Sequence, residues 1–286
     1  LPYNLIIMKT RNRQSGQVLL ITLLVLSVAT TIVLSLIGRA TTDVAISNQI
    51  AESQRAFSAA EAGIEEILKS GTAAAGAQIL SSGASYTVVK ADIGGAAGAY
   101  QFPSKTPVGA TETLWLVAHN AAATLIETPT YTAGTLDVCW SAETTTPAVL
   151  VSLLYKTGTS YRVARAAYDP NATRAATNKF ALPAVTTGGC GAGTGTTYKQ
   201  TIIFADFTPA IVPTSDTLIS LRVTPVYSET KLAVSAGAVL PLQGSRVESS
   251  GTTTGGITRK IVVYQQFRAP SSIFDASVIS GGDFGK

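Results

Sequence analysis

The chain has 286 residues, of which 46% are hydrophobic and 13% are charged; ordinary soluble domains have about a quarter of their residues charged. This deficit of charge argues against an ordinary cytosolic enzyme. The formal net charge is +4, but three of the 21 basic residues, Lys9, Arg11 and Arg13, precede Gly16, so a basic surface for nucleic acid is not predicted.

The first 16 residues form a predicted leader. Met8 is the only methionine, and a start there gives the short basic segment MKTRNRQSG. We therefore expect residues 1–7 to be an upstream extension that is not part of the native protein.

An apolar run follows the leader. Residues 18–37 contain no charge, glycine or proline, and a helix of 20 residues spans about 30 Å, the hydrocarbon thickness of a bilayer. A secretory signal has a shorter apolar region, of about 7–15 residues, and a small-residue cleavage site after it. The run therefore predicts a single transmembrane helix. Because the three basic residues precede it and only Arg39 follows closely, its N-terminus is predicted to be cytoplasmic and the rest of the chain extracytoplasmic.

The helix is predicted to run on from position 17 to position 69 or 70, since no proline occurs between Pro2 and Pro103. Apolar and small residues recur at helical spacing through its second half. Gly38 and Gly63 are weak points that cost about 1 kcal/mol each relative to alanine. Hydrophobicity leaves two interpretations open: a membrane anchor with a stalk, or a helix that leaves the bilayer and packs in a filament. The predicted packing stripe comprises Ile46, Ile50, Phe57, Ala60, Glu61, Gly63, Ile64 and Ile67.

Three features of this region occur together in one known family. RQSG (13–16) precedes an apolar run, as at a prepilin peptidase site; the run continues directly into an amphipathic helix; and RAFSAAEAGIEE (55–66) is similar to a recurrent Phe-Ala-Ala-Glu-Ala-Gly stretch. Residues 14–63 thereby resemble type IV pilin-like proteins, and more narrowly the minor pilins of the PilX N-terminal family and the minor pseudopilin GspK of type II secretion.

The resemblance implies a function in assembly. It implies cleavage between Gly16 and Gln17, and it implies as partners other pilins or pseudopilins, the prepilin peptidase, the pilus assembly platform and the membrane. It implies no enzymatic activity and no cofactor. The residues that it places in the membrane and then in the filament core include Val18, Leu19, Leu20, Ile21, Leu23, Leu24, Leu26 and Ile37.

Two residues depart from the major pilins. Those proteins carry phenylalanine or methionine at the first mature position and glutamate at the fifth, where this chain has Gln17 and Ile21. The glutamate is thought to pair with the terminal amine of a neighbouring subunit, and a carboxylate at that depth in lipid is normally functional. Its absence favours a minor, priming or tip subunit over a bulk filament subunit, or else a subunit that is never polymerised.

The remainder of the chain predicts a β-rich domain. Residues 71–84 are small and flexible in character and are predicted to be a linker, followed over residues 85–286 by short β-prone runs without intervening helices. The fold class is therefore α+β: a long helix and an antiparallel sandwich or jelly-roll-like head. Hairpins are predicted at 156–161, with Gly158 in the turn, and within 222–236, where Pro225 marks an edge or a bulge. Strands are predicted at 85–93, 112–118, 136–140, 148–156, 161–168, 201–207, 217–227, 231–237 and 259–267, with Trp115, Trp140, Leu153, Phe204, Leu221 and Val263 in the core.

No catalytic or metal site is predicted. His119 is the only histidine, no GxSxG surrounds a serine, and Cys139 and Cys190 occur without a CxxC. In an exported chain the two cysteines pair as a disulfide or stay as free thiols, and the disulfide is slightly favoured. The glycine-rich segment 186–197 has no phosphate-binding pattern and is interpreted as a mobile loop. Asp169 and Asn171 have the oxygen atoms for a calcium ion, but their segment is better explained as a turn.

Two alternatives to the pilin-like function stay open. One is an uncleaved, membrane-anchored surface or adhesion protein with a single transmembrane helix. The other is a membrane-anchored enzyme such as a hydrolase, for which His119 would be the only imidazole. Processing between Gly16 and Gln17 separates the pilin-like function from the first alternative.

Overall fold

The computed structural model describes residues 15–120 and 122–271. Lys9, Arg11, Arg13 and the rest of the predicted leader before Ser15 lie outside the described residues. So does the last part of the predicted β-rich domain, from residue 272 onward.

The described chain consists of one long helix followed by short strands, which confirms the predicted α+β class. The sheets have the orders β1-β2-β11-β12, β3-β10-β5-β8 and β4-β9-β6-β7, and all ladders within the second and third are antiparallel. The elements are α1 Ser15–Ser70, β1 Gln78–Ile79, β2 Ser85–Gly94, β3 Gly98–Thr106, β4 Glu112–Trp115, β5 Thr135–Trp140, β6 Ala148–Thr157, β7 Ser160–Tyr168, α2 Ala172–Asn178, β8 Tyr198–Ile203, β9 Thr217–Val226, β10 Thr230–Ala236, β11 Leu242–Thr252 and β12 Thr258–Gln266.

The described chain divides into two compact units. The helix unit comprises α1 as far as Glu66 together with Ala74–Val88 and Ser249–Ile261. The head unit comprises Ile67–Ala73, Val89–Glu248 and the described residues from Val262 onward. The predicted linker thus contributes to both units, and it contains the two-residue strand β1.

The head unit is a β-sandwich with one central core. Along β6, alternate residues Val149, Val151, Leu153 and Tyr155 face inward, because successive side chains of a strand point to opposite faces of its sheet. Equivalent residues from both sheets of the head join them. Among the predicted core residues, Trp140, Leu153, Phe204 and Leu221 belong to this core.

Two predicted core residues lie elsewhere. Trp115 is buried with Val117 and Ile219 in a second cluster, to which Phe267 adds partly buried surface. Val263 is only half-buried, because it belongs to β12, a strand at the edge of its sheet whose residues are largely exposed.

The pairing of β9 with β10 was wrongly predicted from their proximity in sequence. β9 pairs with β4 and β6, whereas β10 pairs with β3 and β5. The two strands therefore lie in opposite sheets, an arrangement in which both direct apolar residues into the same core. Pro225 lies within β9 beyond Val223, where the pairing with β4 ends. The β6–β7 hairpin is confirmed, with Gly158 at φ +58°.

Two long strands were missed by the sequence analysis. β3 contains Pro103, which is tolerated because β3 is at the edge of its sheet. The inward face of β11 carries Gln243, Ser245 and Ser249, with Val247 the one large apolar residue among them. Because most of these residues are polar, the apolar alternation that marks a strand is absent from the sequence.

A disulfide joins Cys139 in β5 to Cys190 in the glycine-rich loop. The loop is also held by a hydrogen bond from the Cys190 backbone N–H to Thr196 Oγ1, 3.0 Å, and by one between the Thr194 and Thr196 hydroxyls, 2.7 Å. Gly189 has φ +48°, and a Cβ there would meet Thr196. The interpretation of residues 186–197 as a free loop is therefore corrected.

Replacing both cysteines with alanine should lower the free energy of unfolding by about 2–4 kcal/mol, because the disulfide closes a loop across a sequence separation of 51 residues in the unfolded chain. The measurement is urea-induced unfolding of the full chain in detergent. A reducing agent should destabilise the wild type by a similar amount and leave the double variant unaffected. An unchanged unfolding midpoint in the double variant would contradict the prediction.

Candidate functional site: the long helix and its docking sheet

The N-terminal half of α1 is apolar and exposed. Every residue from Gly16 to Ile50 is exposed, and the helix is long and apolar enough to cross a membrane. At about 1.5 Å per residue, its 56 residues extend for about 84 Å. Such a surface is unfavourable in water, at about 25 cal/mol per Å² of apolar area, so this half of the helix requires an apolar environment.

The polar side chains within the apolar half are bonded to the helix itself. Thr22, Ser27, Thr30 and Thr31 each donate their hydroxyl hydrogen to a backbone carbonyl three or four residues earlier, at 2.8–2.9 Å. A hydroxyl that is satisfied in this way loses little when water is removed. These residues are therefore compatible with a bilayer or with a packed bundle of helices.

The predicted cleavage residues lie in the first turn of α1. Gly16 and Gln17 are exposed, and a Cβ added at Gly16 would have no neighbour within 4 Å. The structure gives Gly16 no packing role within the chain. The fifth residue after the predicted cleavage point, Ile21, is 53% exposed within the apolar run.

The C-terminal half of α1 docks on a sheet of the helix unit through its smallest residues. Ala56, Ala59 and Ala60 are fully buried, and Gly63 is buried beside them. Their spacing of three, four and seven residues places them on one face of the helix. Facing them are Ser249 and Gly251 of β11, together with Tyr86 of β2.

The absence of larger side chains permits direct approach of the two backbones. A Cβ at Gly251 would collide with the Ala56 carbonyl oxygen, lie 2.5 Å from Ala60 N and 3.0 Å from Ala59 Cβ. A Cβ at Gly63 would collide with Ser249 Oγ and lie 2.8 Å from Tyr86 Cδ2. The two glycines thus fill the space that a side chain would need, and the FSAAEAG stretch is explained as a helix–sheet contact.

Polar contacts fix the ends of the docked segment. The Tyr86 hydroxyl donates to Glu66 Oε2 at 2.7 Å, and Arg259 Nε donates to Ser53 Oγ at 2.8 Å. The hydrogen bond to Glu66 raises the pKa of Tyr86, and both burial and the nearby carboxylate charge act in the same direction. These two bonds are about 13 residues apart along the helix and therefore set its position along the sheet.

The predicted packing stripe is divided by the structure. Ala60, Gly63, Ile64 and Ile67 are buried, whereas the other members are exposed. The sequence analysis missed Ala56 and Ala59, although their spacing to Ala60 and Gly63 was a visible signal. It also missed Ser249 and Gly251, for which no sequence signal exists. The exposed members of the stripe are Ile46, Ile50, Phe57 and Glu61.

Asp169 does not offer a calcium site. Its carboxylate accepts hydrogen bonds from Arg174 Nε and Nη2 at 2.6 and 2.7 Å, from Asn178 Nδ2 at 2.9 Å and from the Asn171 backbone N–H at 2.9 Å. Four donors therefore occupy the two oxygens of a side chain that is completely buried. Asn171 in turn caps α2 by accepting from the Arg174 N–H, so the segment begins a short helix instead of a simple turn.

His119 packs among aromatic rings. Its ring stacks on Phe267 at a centroid distance of 3.8 Å and meets the edge of Trp115 at 5.0 Å. Burial lowers its pKa, which favours the neutral imidazole. Within the residues that the structure describes, no group of three or more histidine, cysteine, aspartate or glutamate side chains is arranged to hold a metal ion.

Comparison with protein-family models and with curated proteins finds no match to this chain.

Gly251→Ala should loosen the docked segment of α1 by about 1–3 kcal/mol, because overpacking of a tight contact costs about this much. Hydrogen exchange of residues 52–66 in the full chain measures the effect, and faster exchange is expected. Gly237→Ala is the matched control, since a Cβ there meets nothing within 4 Å. Equal exchange rates in the Gly251→Ala variant and the wild type would contradict the prediction.

Asp169→Asn should destabilise the head by about 3–5 kcal/mol at neutral pH, since it leaves the Arg174 guanidinium without its counter-charge. Burial by itself raises the pKa of Asp169, but the hydrogen bonds from Arg174, Asn171 and Asn178 outweigh it and hold the pKa below its ordinary value. The pair therefore stabilises the fold above the ordinary aspartate pKa of about 4, and this contribution is lost as the pH falls through the lowered value.

Urea unfolding at several pH values measures this contribution. The difference between the wild type and Asp169→Asn should shrink below a pH of about 4. Asp92→Asn, at an exposed position, should change the stability by less than about 0.5 kcal/mol at each pH. A difference between the wild type and Asp169→Asn that does not depend on pH would oppose the assignment.

Proposed function

We propose that this protein is a minor pilin-like subunit, anchored in the cytoplasmic membrane by residues 18–37 and assembled through α1 into a type IV pilus or a type II secretion pseudopilus. A prepilin peptidase would cleave between Gly16 and Gln17. The β-rich head would be extracytoplasmic, and the partners would be other pilins or pseudopilins and the assembly platform.

The observation that carries the proposal is the continuity of α1. One helix joins a fully exposed apolar half to a half that is docked on β11 through Ala56, Ala60 and Gly63. A simple membrane anchor needs only the apolar half and tolerates a flexible junction. A filament subunit needs a stiff connection, because the position of its core helix must determine the position of its docked sheet.

The exposed part of the helix beyond the membrane-spanning run also supports assembly. Ile46, Ile50 and Phe57 are about half exposed, and at their height the helix would lie outside the bilayer. Apolar residues at helical spacing in water indicate a surface that neighbouring helices cover. An isolated anchored protein gives no reason for them.

The residue at position 21 supports a minor role within the assembly. Ile21 lies in an apolar run that contains no acidic residue, so a pairing between a buried carboxylate and the terminal amine of a neighbour is not available. We therefore propose a priming or tip position. The absence of a described metal cluster is compatible with a role that requires no chemistry of its own.

Gly16→Val should block removal of the leader in a host that has a prepilin peptidase, while the wild type should begin at Gln17. Mass spectrometry of the N-terminal peptide measures the difference. Gly38→Val is the matched control, because it makes the same change in α1 at another position where a Cβ meets nothing within 4 Å; it should be processed normally.

An intact leader in the wild type would overturn the proposal and favour an uncleaved membrane-anchored surface protein. Normal processing of Gly16→Val would also contradict it, because the structure gives Gly16 no packing role that its replacement would disturb. The sheared surface fraction of the cells then shows whether the processed protein enters a filament.

A further inference from the structure

A trough crosses the outer face of the β4-β9-β6-β7 sheet. It consists of two adjoining cavities of about 570 and 320 Å³, both of which are lined by Ser152. Along β6, the outward-facing residues are Leu150, Ser152 and Leu154, which alternate with the core residues. The trough therefore follows the strands across the face that is turned away from the central core.

The trough is apolar with a positive centre. Leu150 and Val163 are 39% and 53% exposed in it, which is unfavourable for large apolar side chains in water. Its two charged lining residues are both arginines, Arg165 and Arg222, and they lie on either side of Ser152 in the sheet register. An apolar segment that carries one carboxylate would complement this surface.

The chain itself leads into the trough. After β12, Phe267 packs with Trp115 and stacks on His119, and Pro270 lines the smaller cavity. Residue 272, the first beyond the described part of the chain, therefore follows directly from the trough.

The sequence that follows has the required character. Residues 272–279 read SIFDASVI, with four large apolar residues and Asp275 as the only charge. The trough runs from the Leu154–Ser220 pair to the Ala148–Val226 pair, which is six residue steps or about 20 Å. Six to eight extended residues span this distance.

We propose that residues 272–279 bind in this trough as an extended strap, with their apolar side chains against Leu150 and Val163 and Asp275 beside the arginines. The strap would cover the outer face of the sheet and hold the segment that ends β12. This proposal concerns the head alone and does not depend on the proposed function in assembly.

Cross-linking of the full chain tests the proposal. Ala167 lies opposite Leu150 in the trough, and Cys139 and Cys190 are bonded to each other, so Ala167→Cys with Ser277→Cys supplies two reactive thiols. A short bismaleimide should join them within one chain. Adding Phe274→Ser should slow this reaction about tenfold, because the strap leaves the trough and the effective concentration falls.

Phe284→Ser is the matched control, since it makes the same change in the same tail outside the proposed strap. It should leave the rate unchanged. Equal rates with and without Phe274→Ser would show that the tail reaches Ala167 by its tether alone and would overturn the proposal. A cross-link between two chains would also overturn it, in favour of a second copy in the trough. If Ala167→Cys does not fold, Val163→Cys replaces it, because that residue is 53% exposed.

Discussion

The closest approach in the helix unit is between the backbone of α1 and that of β11. Gly63 on the helix and Gly251 on the strand leave no room for a Cβ, and Ala56, Ala59 and Ala60 surround them. A contact of this kind has little tolerance, because the interior of a protein is packed as densely as an organic crystal. It fixes where the helix is held, and hence which of its residues are left exposed.

What is left exposed explains why the protein is proposed to assemble. The helix satisfies its own backbone and the hydroxyls of its apolar half, but it cannot bury its own apolar surface. A bilayer provides that environment before assembly, and neighbouring apolar helices would provide it afterwards. The same residues serve in both environments, because lipid tails and leucine side chains are equally apolar.

The head has its own sources of stability. A central core lies between two antiparallel sheets, a disulfide ties the glycine-rich loop to β5, and Arg174 neutralises the buried Asp169 carboxylate. Arg174 also stacks on the Tyr227 ring at 3.9 Å, which joins α2 to the end of β9. These features are those of an exported domain that has to remain folded without a ligand.

The sequence by itself determined the long helix, the apolar run within it, the α+β class and most of the strands. These features depend on local patterns: uninterrupted hydrophobicity, helical spacing, and β-prone runs between glycines and prolines. Cys139 and Cys190 were identified as a pair by number and spacing alone. Gly158 was identified as a turn residue for the same kind of local reason.

Only the tertiary structure decided which elements meet. β11 escaped notice because its inward face is mostly polar and small, and those residues are small because a helix backbone occupies the space beside them. β9 and β10 were expected to pair as neighbours in sequence, yet they lie in opposite sheets to share one core. Contacts between distant segments leave no periodic trace in either segment, so packing, and not local propensity, chose the partners of Gly63, Gly251 and Asp169.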